Sequence, residues 1–259
     1  MNRIARVALV CVAIVASSCS ETQDVAPTTT GPPTTTAPLS TTASAPPTTT
    51  AEPEALPGGV LEAGTYVVAP FGSDSDGVCM TPPQDGCSES PADDSIRFTF
   101  TVPEGWSGAP LQSIWLTAGA NSGPGGAGLI FNRGGWLHSD PCRNDAANPD
   151  IPIGPTVDDF ANALADHPLL DVTTPVDVTL GGYSGKYVDL QVPSDFTECN
   201  RYYAWEPALY AQGSSQRWHL WILDVDGVRV VVEASDYPGT SAEDRAELEA
   251  IVDSIQIDP

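Results

Sequence analysis

The chain has 259 residues and a formal charge of −24, from 34 Asp and Glu against 10 Lys and Arg. A surface of that sign has no basic stripe with which to release counterions from a phosphate backbone, which excludes nucleic acid as a partner. Residues 58–259 alone carry 30 acidic and 8 basic side chains, a balance that keeps an exported domain soluble and suits divalent cations or basic partners.

The N-terminus reads MNRIARVALVCVAIVASSCSETQD. Arg3 and Arg6 form a basic n-region, and Val7 to Ala16 is an apolar run shorter than a bilayer-spanning helix needs. Ala16-Ser17-Ser18-Cys19 has the small-small-Cys shape of a bacterial lipobox. The expectation is a signal peptide over residues 1–18 and a diacylglyceryl group on Cys19, anchoring the chain to the outer face of the cytoplasmic membrane. An ordinary secretory signal cut near Ser18 is the alternative, and both readings predict export. Residues 19–57 are the expected tether. From Ser20 the composition is Thr, Pro and Ala with almost no large apolar side chain, too little to offset the entropy of ordering. Extended as polyproline II, residues 20–57 would reach roughly 120 Å.

Residues 58–259 are long enough for one domain with a substantial core. The first element is the strand SIRFTFTV, with Ile96, Phe98, Phe100 and Val102 on one face and a Pro-Glu-Gly turn behind it. LQSIWLTA and GAGLIFN read as the next two strands, divided by the glycine-rich GANSGPGG. The helix TVDDFANALADHP follows, with Thr156 as N-cap and Asp158 and Asp159 complementing the dipole. Its apolar face is Val157, Phe160, Ala161 and Leu164.

Two hairpins come next, one about Gly181-Gly182 and one at Asp226-Gly227, a strong type I′ signal. The strand RWHLWILDV is apolar on both faces, as a central strand covered on two sides would be. TSAEDRAELEAIVDSIQI reads as a closing helix with Ser241 as N-cap and Leu248, Ile251, Val252 and Ile255 as its buried stripe. The fold class is therefore α/β in the α+β sense: a mainly antiparallel sheet flanked by helices.

Six cysteines divide by place. Cys11 falls in the signal and Cys19 is the lipidation candidate, which leaves Cys79, Cys87, Cys142 and Cys199. In an exported domain four thiols point to two disulfides. Of three connectivities, Cys79–Cys87 across the short loop CMTPPQDGC with Cys142–Cys199 as the long-range bridge is favoured. No spacing suggests zinc, so no metal or other cofactor is expected.

RFTFTVPEGW, DVTLGGYSGKYVDLQVP and DVDGVRVVVEASDYPGTSAEDRAELEAIVDSIQI together resemble exported Mog1/PsbP-like domains, among them lipoproteins of high-GC Gram-positive bacteria. The likeness rests on Pro103, Gly105 and Trp106 at the first turn and on Ile251 to Ile255 at the end, and runs from Ser95 onward. It implies an α/β/α sandwich and an accessory or binding role, and it brings no catalytic residues with it.

FNRGGWLHSDPCRND gathers a histidine, a cysteine, two arginines and two aspartates behind a glycine pair. If Cys142 is bridged to Cys199 it is no nucleophile, and the stretch becomes a clamp with a binding edge. The expected binding residues are Trp136, His138, Arg143, Arg201, Tyr202, Tyr203 and Trp205, with Arg143 and Arg201 contacting an anionic group. Tyr202, Tyr203, Trp205 and Tyr210 either line a cleft or fill the core beneath a loop.

Other candidates are weaker. Ser184 in GGYSGK lacks the G-x-S-x-G spacing and reads as a hairpin turn. Asp74 to Gly77 and Asp224 to Gly227 carry paired aspartates without a full calcium loop. His167 precedes Pro168 at a helix end, where a cation would suit the dipole, and His219 sits between tryptophans in a strand. The leading expectation is a non-catalytic envelope module binding an unidentified ligand or protein. The alternative is a hydrolase of envelope material with His138 as base beside Asp140.

Overall fold

The computed structural model describes residues 52–71, 95–109, 113–116, 125–142, 151–199, 201–206 and 210–259. They lie in the compact unit Thr49–Pro259, the second of two into which the chain divides. The strands are β1 (Glu54–Ala55), β2 (Gly59–Val60), β3 (Gly64–Val68), β4 (Arg97–Val102), β5 (Ser107–Ala109), β6 (Ser113–Leu116), β7 (Ala127–Asn132), β8 (Trp136–Leu137) and β9 (Ile151–Pro152). Helix α1 (Val157–Ala165) leads into β10 (Asp171–Val172), β11 (Val176–Leu180), β12 (Tyr183–Gln191), β13 (Trp205–Glu206), β14 (Arg217–Val225) and β15 (Val228–Asp236). Helix α2 (Ala242–Asp253) and β16 (Gln256–Asp258) close the chain.

The large sheet runs β10-β12-β14-β15-β7-β6-β5-β2, with β11 lying beyond β10 along the same edge of β12. A second sheet is β1-β3-β4-β16 and a third, small one is β13-β8-β9. Among the described ladders β1–β3 alone is parallel, so the class is α+β with mostly antiparallel sheets. The domain also reaches back into the stretch expected to be tether: the Leu56 amide donates to Val67 O at 3.1 Å and its side chain is buried.

Strand alternation divides the core in two. On β14, Trp218, Leu220 and Ile222 face the cluster under α1, which includes Phe160, Leu164, Val188, Leu190 and Trp205. Trp221 and Leu223 face the other cluster, built with Phe98, Phe100, Phe131, Val232 and the α2 residues Leu248, Ile251 and Val252. β14 lies between β12 and β15 in the sheet, and each of its faces packs against one of these apolar clusters, as its composition predicts. The two hairpins turn where expected, with positive φ at Gly181 and Gly182 and at Asp226 and Gly227.

α1 is capped as expected, and Asp159 adds the reciprocal half of a capping box, its carboxylate accepting from the Thr156 amide at 2.9 Å. Arg229 ties this helix start to the sheet by donating to Gly134 O (3.0 Å), Thr156 O (2.9 Å) and Gly154 O, with its guanidinium over the Phe160 ring. Gly134 is required here, since a Cβ would lie 2.3 Å from the Phe160 ring.

The closing helix is shorter than the sequence suggests. It ends at Asp253 with Ser254 as C-cap, and Gln256–Asp258 pair with β4. Ile255 and Ile257 are buried with Gln256 exposed between them, a period of two that satisfies the open edge of β4.

Candidate functional site

The clamp forms. Cys142 and Cys199 are disulfide-bonded with Cα atoms 4.8 Å apart, and β8 pairs with β13 beside them, matching Trp136 with Glu206 and Leu137 with Trp205. The amides of His138 and Tyr203 donate to Ala204 O and Pro141 O, stitching the two segments further. Asp140 accepts from the Cys142 amide at 2.9 Å, which commits it to the turn rather than to His138.

The expected binding residues separate once placed. Trp205 is wholly buried, edge-on to Phe160 and Trp218, with Nε1 donating to Asn132 Oδ1 at 3.4 Å. The expectation that it offers a binding surface is corrected: its indole fills the core. His138 is buried and its carbonyl accepts from His167 Nε2 at 2.9 Å. His167 Nδ1 accepts from the Leu169 amide, so both ring nitrogens are engaged by backbone groups and the ring is a structural part of the helix end. Trp136 is half-buried, and Arg143 lies outside the described residues, as do Cys19, Cys79, Cys87 and Asp74 to Gly77. At the surface, Arg201 stacks over Tyr210 at 4.7 Å and donates to Tyr203 Oη at 3.1 Å. Tyr202 turns inward beside a hollow of about 220 Å³ walled by the disulfide, Pro193 and Phe196. Its hydroxyl has no hydrogen-bond partner among the described residues, and burial with the nearby Asp171 carboxylate pushes it up to about 12.

A larger cleft opens where the large sheet ends, on the face that α2 covers. It encloses about 860 Å³. Strand register builds its floor: Asp171 pairs with Gln191, Gln191 with Arg217, and Arg217 with Asp236, so four strands contribute one polar row. Leu169, Pro193, Ser215, Tyr237 and Arg245 add the walls. Ser215 has φ 58°, a left-handed conformation that a non-glycine residue adopts at a cost.

Two residues along each strand stands the next row, Asp189 opposite His219. His219 Nδ1 is 2.6 Å from Asp189 Oδ1, and His219 Nε2 is 2.9 Å from Asp236 Oδ2. Tyr187 Oη donates to Asp189 Oδ1 at 2.6 Å. Arg245, reaching down from α2, donates to Asp236 Oδ1 at 2.9 Å and to Tyr237 O. Both ring nitrogens of His219 thus lie within hydrogen-bond distance of a carboxylate oxygen. Burial opposes ionisation of Asp236, but the bonds from His219 and Arg245 outweigh it and hold the carboxyl below its usual range. Burial and the adjoining Asp189 keep the Tyr187 hydroxyl protonated.

At the cleft floor, by contrast, the Arg217 guanidinium and the Asp171 carboxylate are exposed and make no hydrogen bond or ion pair with another described residue. None of this row was legible as a site in the sequence, because its members come from four separated segments. The signal that existed was RWHLWILDV, a mostly apolar strand holding Arg217 and His219 on one face.

The remaining candidates stay structural. Ser184 is exposed in the β11–β12 hairpin, opposite Thr179. Asp224 accepts from the Gly227 amide at 2.7 Å and closes the β14–β15 turn. Among the described residues no group of three or more His, Cys, Asp or Glu is arranged to hold a metal ion, and no helix is long and apolar enough to cross a membrane. No protein-family model matches the chain, and no curated protein matches it.

Proposed function

We propose that this chain is an exported lipoprotein, acylated at Cys19 and held off the outer face of the cytoplasmic membrane by its Thr/Pro/Ala tether, whose globular domain binds an envelope ligand. The reading of the domain as a Mog1/PsbP-like sandwich belongs to the same proposal and rests on the sequence resemblance. The observation that carries the binding role is the cleft of about 860 Å³ whose floor presents Arg217 and Asp171 uncommitted. A cleft with a few convergent polar groups is where a small ligand is held, and a non-catalytic role accords with the rigid pairing around it.

Two experiments test this. Screening the full-length chain in detergent against envelope glycans, lipids and peptides should yield a ligand whose affinity falls at least tenfold in Arg217→Gln. Binding unaffected by that change would move the site elsewhere. Metabolic labelling with a fatty acid should mark the wild type and leave Cys19→Ser unlabelled and released from the membrane fraction. Labelling of the variant would refute the anchor.

A second reading, hydrolysis of envelope material, draws on His219 rather than His138, because His219 stands between two carboxylates beside the cleft. Turnover of an ester, glycoside or peptide substrate that vanishes in His219→Asn would replace the first reading.

A further inference from the structure

We propose that the cleft takes a short peptide with both termini free, its carboxylate on Arg217, its ammonium on Asp171 and its first side chain over Leu169. This rests on the assignment of the cleft as the binding site and names the class of ligand.

The argument begins with charge. Four charged side chains line the cleft: Arg217, Arg245, Asp171 and Asp236. Asp236 is already satisfied by Arg245 and His219, and His219 is satisfied on its other side by Asp189. Among the described residues, the lining charges without a hydrogen bond or ion pair are one cation, Arg217, and one anion, Asp171. A simple anion would leave Asp171 unanswered and repelling it, and a simple cation would do the same at Arg217. A ligand carrying both charges satisfies both.

Spacing selects among zwitterions. Gln191 lies between Asp171 and Arg217 in the register, so two strand intervals part them, roughly 9 to 10 Å from backbone to backbone. Gln191 does not fill the gap, since its amide donates to Val192 O and Gln216 O. A free amino acid holds its charges within one residue, whereas a dipeptide spreads them over about 7 Å. The volume is in the range that accommodates a small organic ligand. Leu169, two residues before Asp171, is 57% exposed, a large apolar side chain beside the ammonium end of the site. An apolar first residue would cover it.

The test titrates leucyl-alanine, its N-acetyl form and its C-terminal amide into the ¹⁵N-labelled full-length chain, with free leucine and pentanoate as further arms. Leucyl-alanine should shift amides around Asp171, Gln191 and Arg217, and acetylation or amidation should each weaken it at least tenfold. Arg217→Gln should erase the discrimination against the amide, and Asp171→Asn the discrimination against the acetylated form. Both positions are exposed, so unchanged melting temperatures would show that the fold survives. Equal binding of all three peptides, or discrimination that persists in both variants, overturns the proposal. Leucine binding as tightly as leucyl-alanine overturns the assignment to a peptide. If pentanoate binds as well as leucyl-alanine and depends on Arg217, the cleft stands as a binding site while the zwitterion falls. If no probe perturbs the cleft, the peptide assignment falls, and the cleft stands or falls separately on the Arg217→Gln screen.

Discussion

Glu233 and Asp236 lie three residues apart on β15 and point to opposite faces of the same sheet, both with little access to water. Glu233 faces the α1 side, where Asn132 Nδ2 donates to it at 3.2 Å while Asn132 Oδ1 accepts from Trp205. Burial there pushes its carboxyl up to about 8, so it is protonated at neutral pH. Asp236 faces the α2 side, where His219 and Arg245 hold it ionised. Burial acts on both, and the bonds from His219 and Arg245 decide the sign at Asp236. The α1 face is a sealed core closed by a disulfide and tryptophans. The α2 face keeps a charged network at the mouth of a cleft, the end to which the proposed binding role is assigned.

The largest expected effect breaks the sealed side. Because the folded value for Glu233 is raised, its favourable contribution is present below about pH 4.5 and is lost as pH rises through about 8. A raise from 4.5 to about 8 corresponds to on the order of 5 kcal/mol when the group must ionise in place. Glu233→Gln removes that loss, so urea unfolding at pH 5 and pH 9 should show the wild type losing several kcal/mol more than the variant. Parallel pH profiles would mean that Glu233 reaches a counter-charge or water.

The disulfide comes next. Opening a loop of 57 residues in sequence releases about 4 kcal/mol of chain entropy to the unfolded state. The double variant Cys142→Ser/Cys199→Ser should lose about that much and loosen the pairing of β8 with β13. Hydrogen exchange should leave the amides of Asp189 and His219 comparatively protected, and equal loss on both faces would erase the contrast.

On the open side, Asp236→Asn removes two charge-assisted bonds and should cost about 2 to 3 kcal/mol at pH 7. The folded value of Asp236 is lowered, so this difference is present above about pH 3.8 and fades as pH falls through the lower folded value. A difference that grows on acidification would contradict the assignment. The smallest stability effect belongs to Arg217→Gln, within about 0.5 kcal/mol because the guanidinium has no described partner to lose. A larger change in melting would mean that Arg217 serves the fold rather than a ligand.

Where local chemistry suffices, the sequence anticipates the structure. Thr156 and Ser241 cap their helices because a side-chain oxygen three residues before an orphan amide needs no distant partner. Asp226-Gly227 makes its turn because both positions accept positive φ. The two-sided apolar strand RWHLWILDV is central because nothing else could cover it. After Asp253 periodicity misleads, since Ile251 and Val252 serve a helical stripe while Ile255 and Ile257 alternate as in a strand, and the open edge of β4 decides between them.

The sequence by itself determined the mainly antiparallel α+β class, because periodicity and caps are encoded within a few residues, whereas it only favoured the Cys142–Cys199 staple among three connectivities and the fold brought the two together. Tertiary structure alone decided that Trp205 would be core rather than contact, that Glu233 would sit in a dry face, and that Asp171, Gln191, Arg217 and Asp236 would share one row. Those outcomes depend on strand order and register, which bring together side chains up to 65 positions apart without any local mark in the chain.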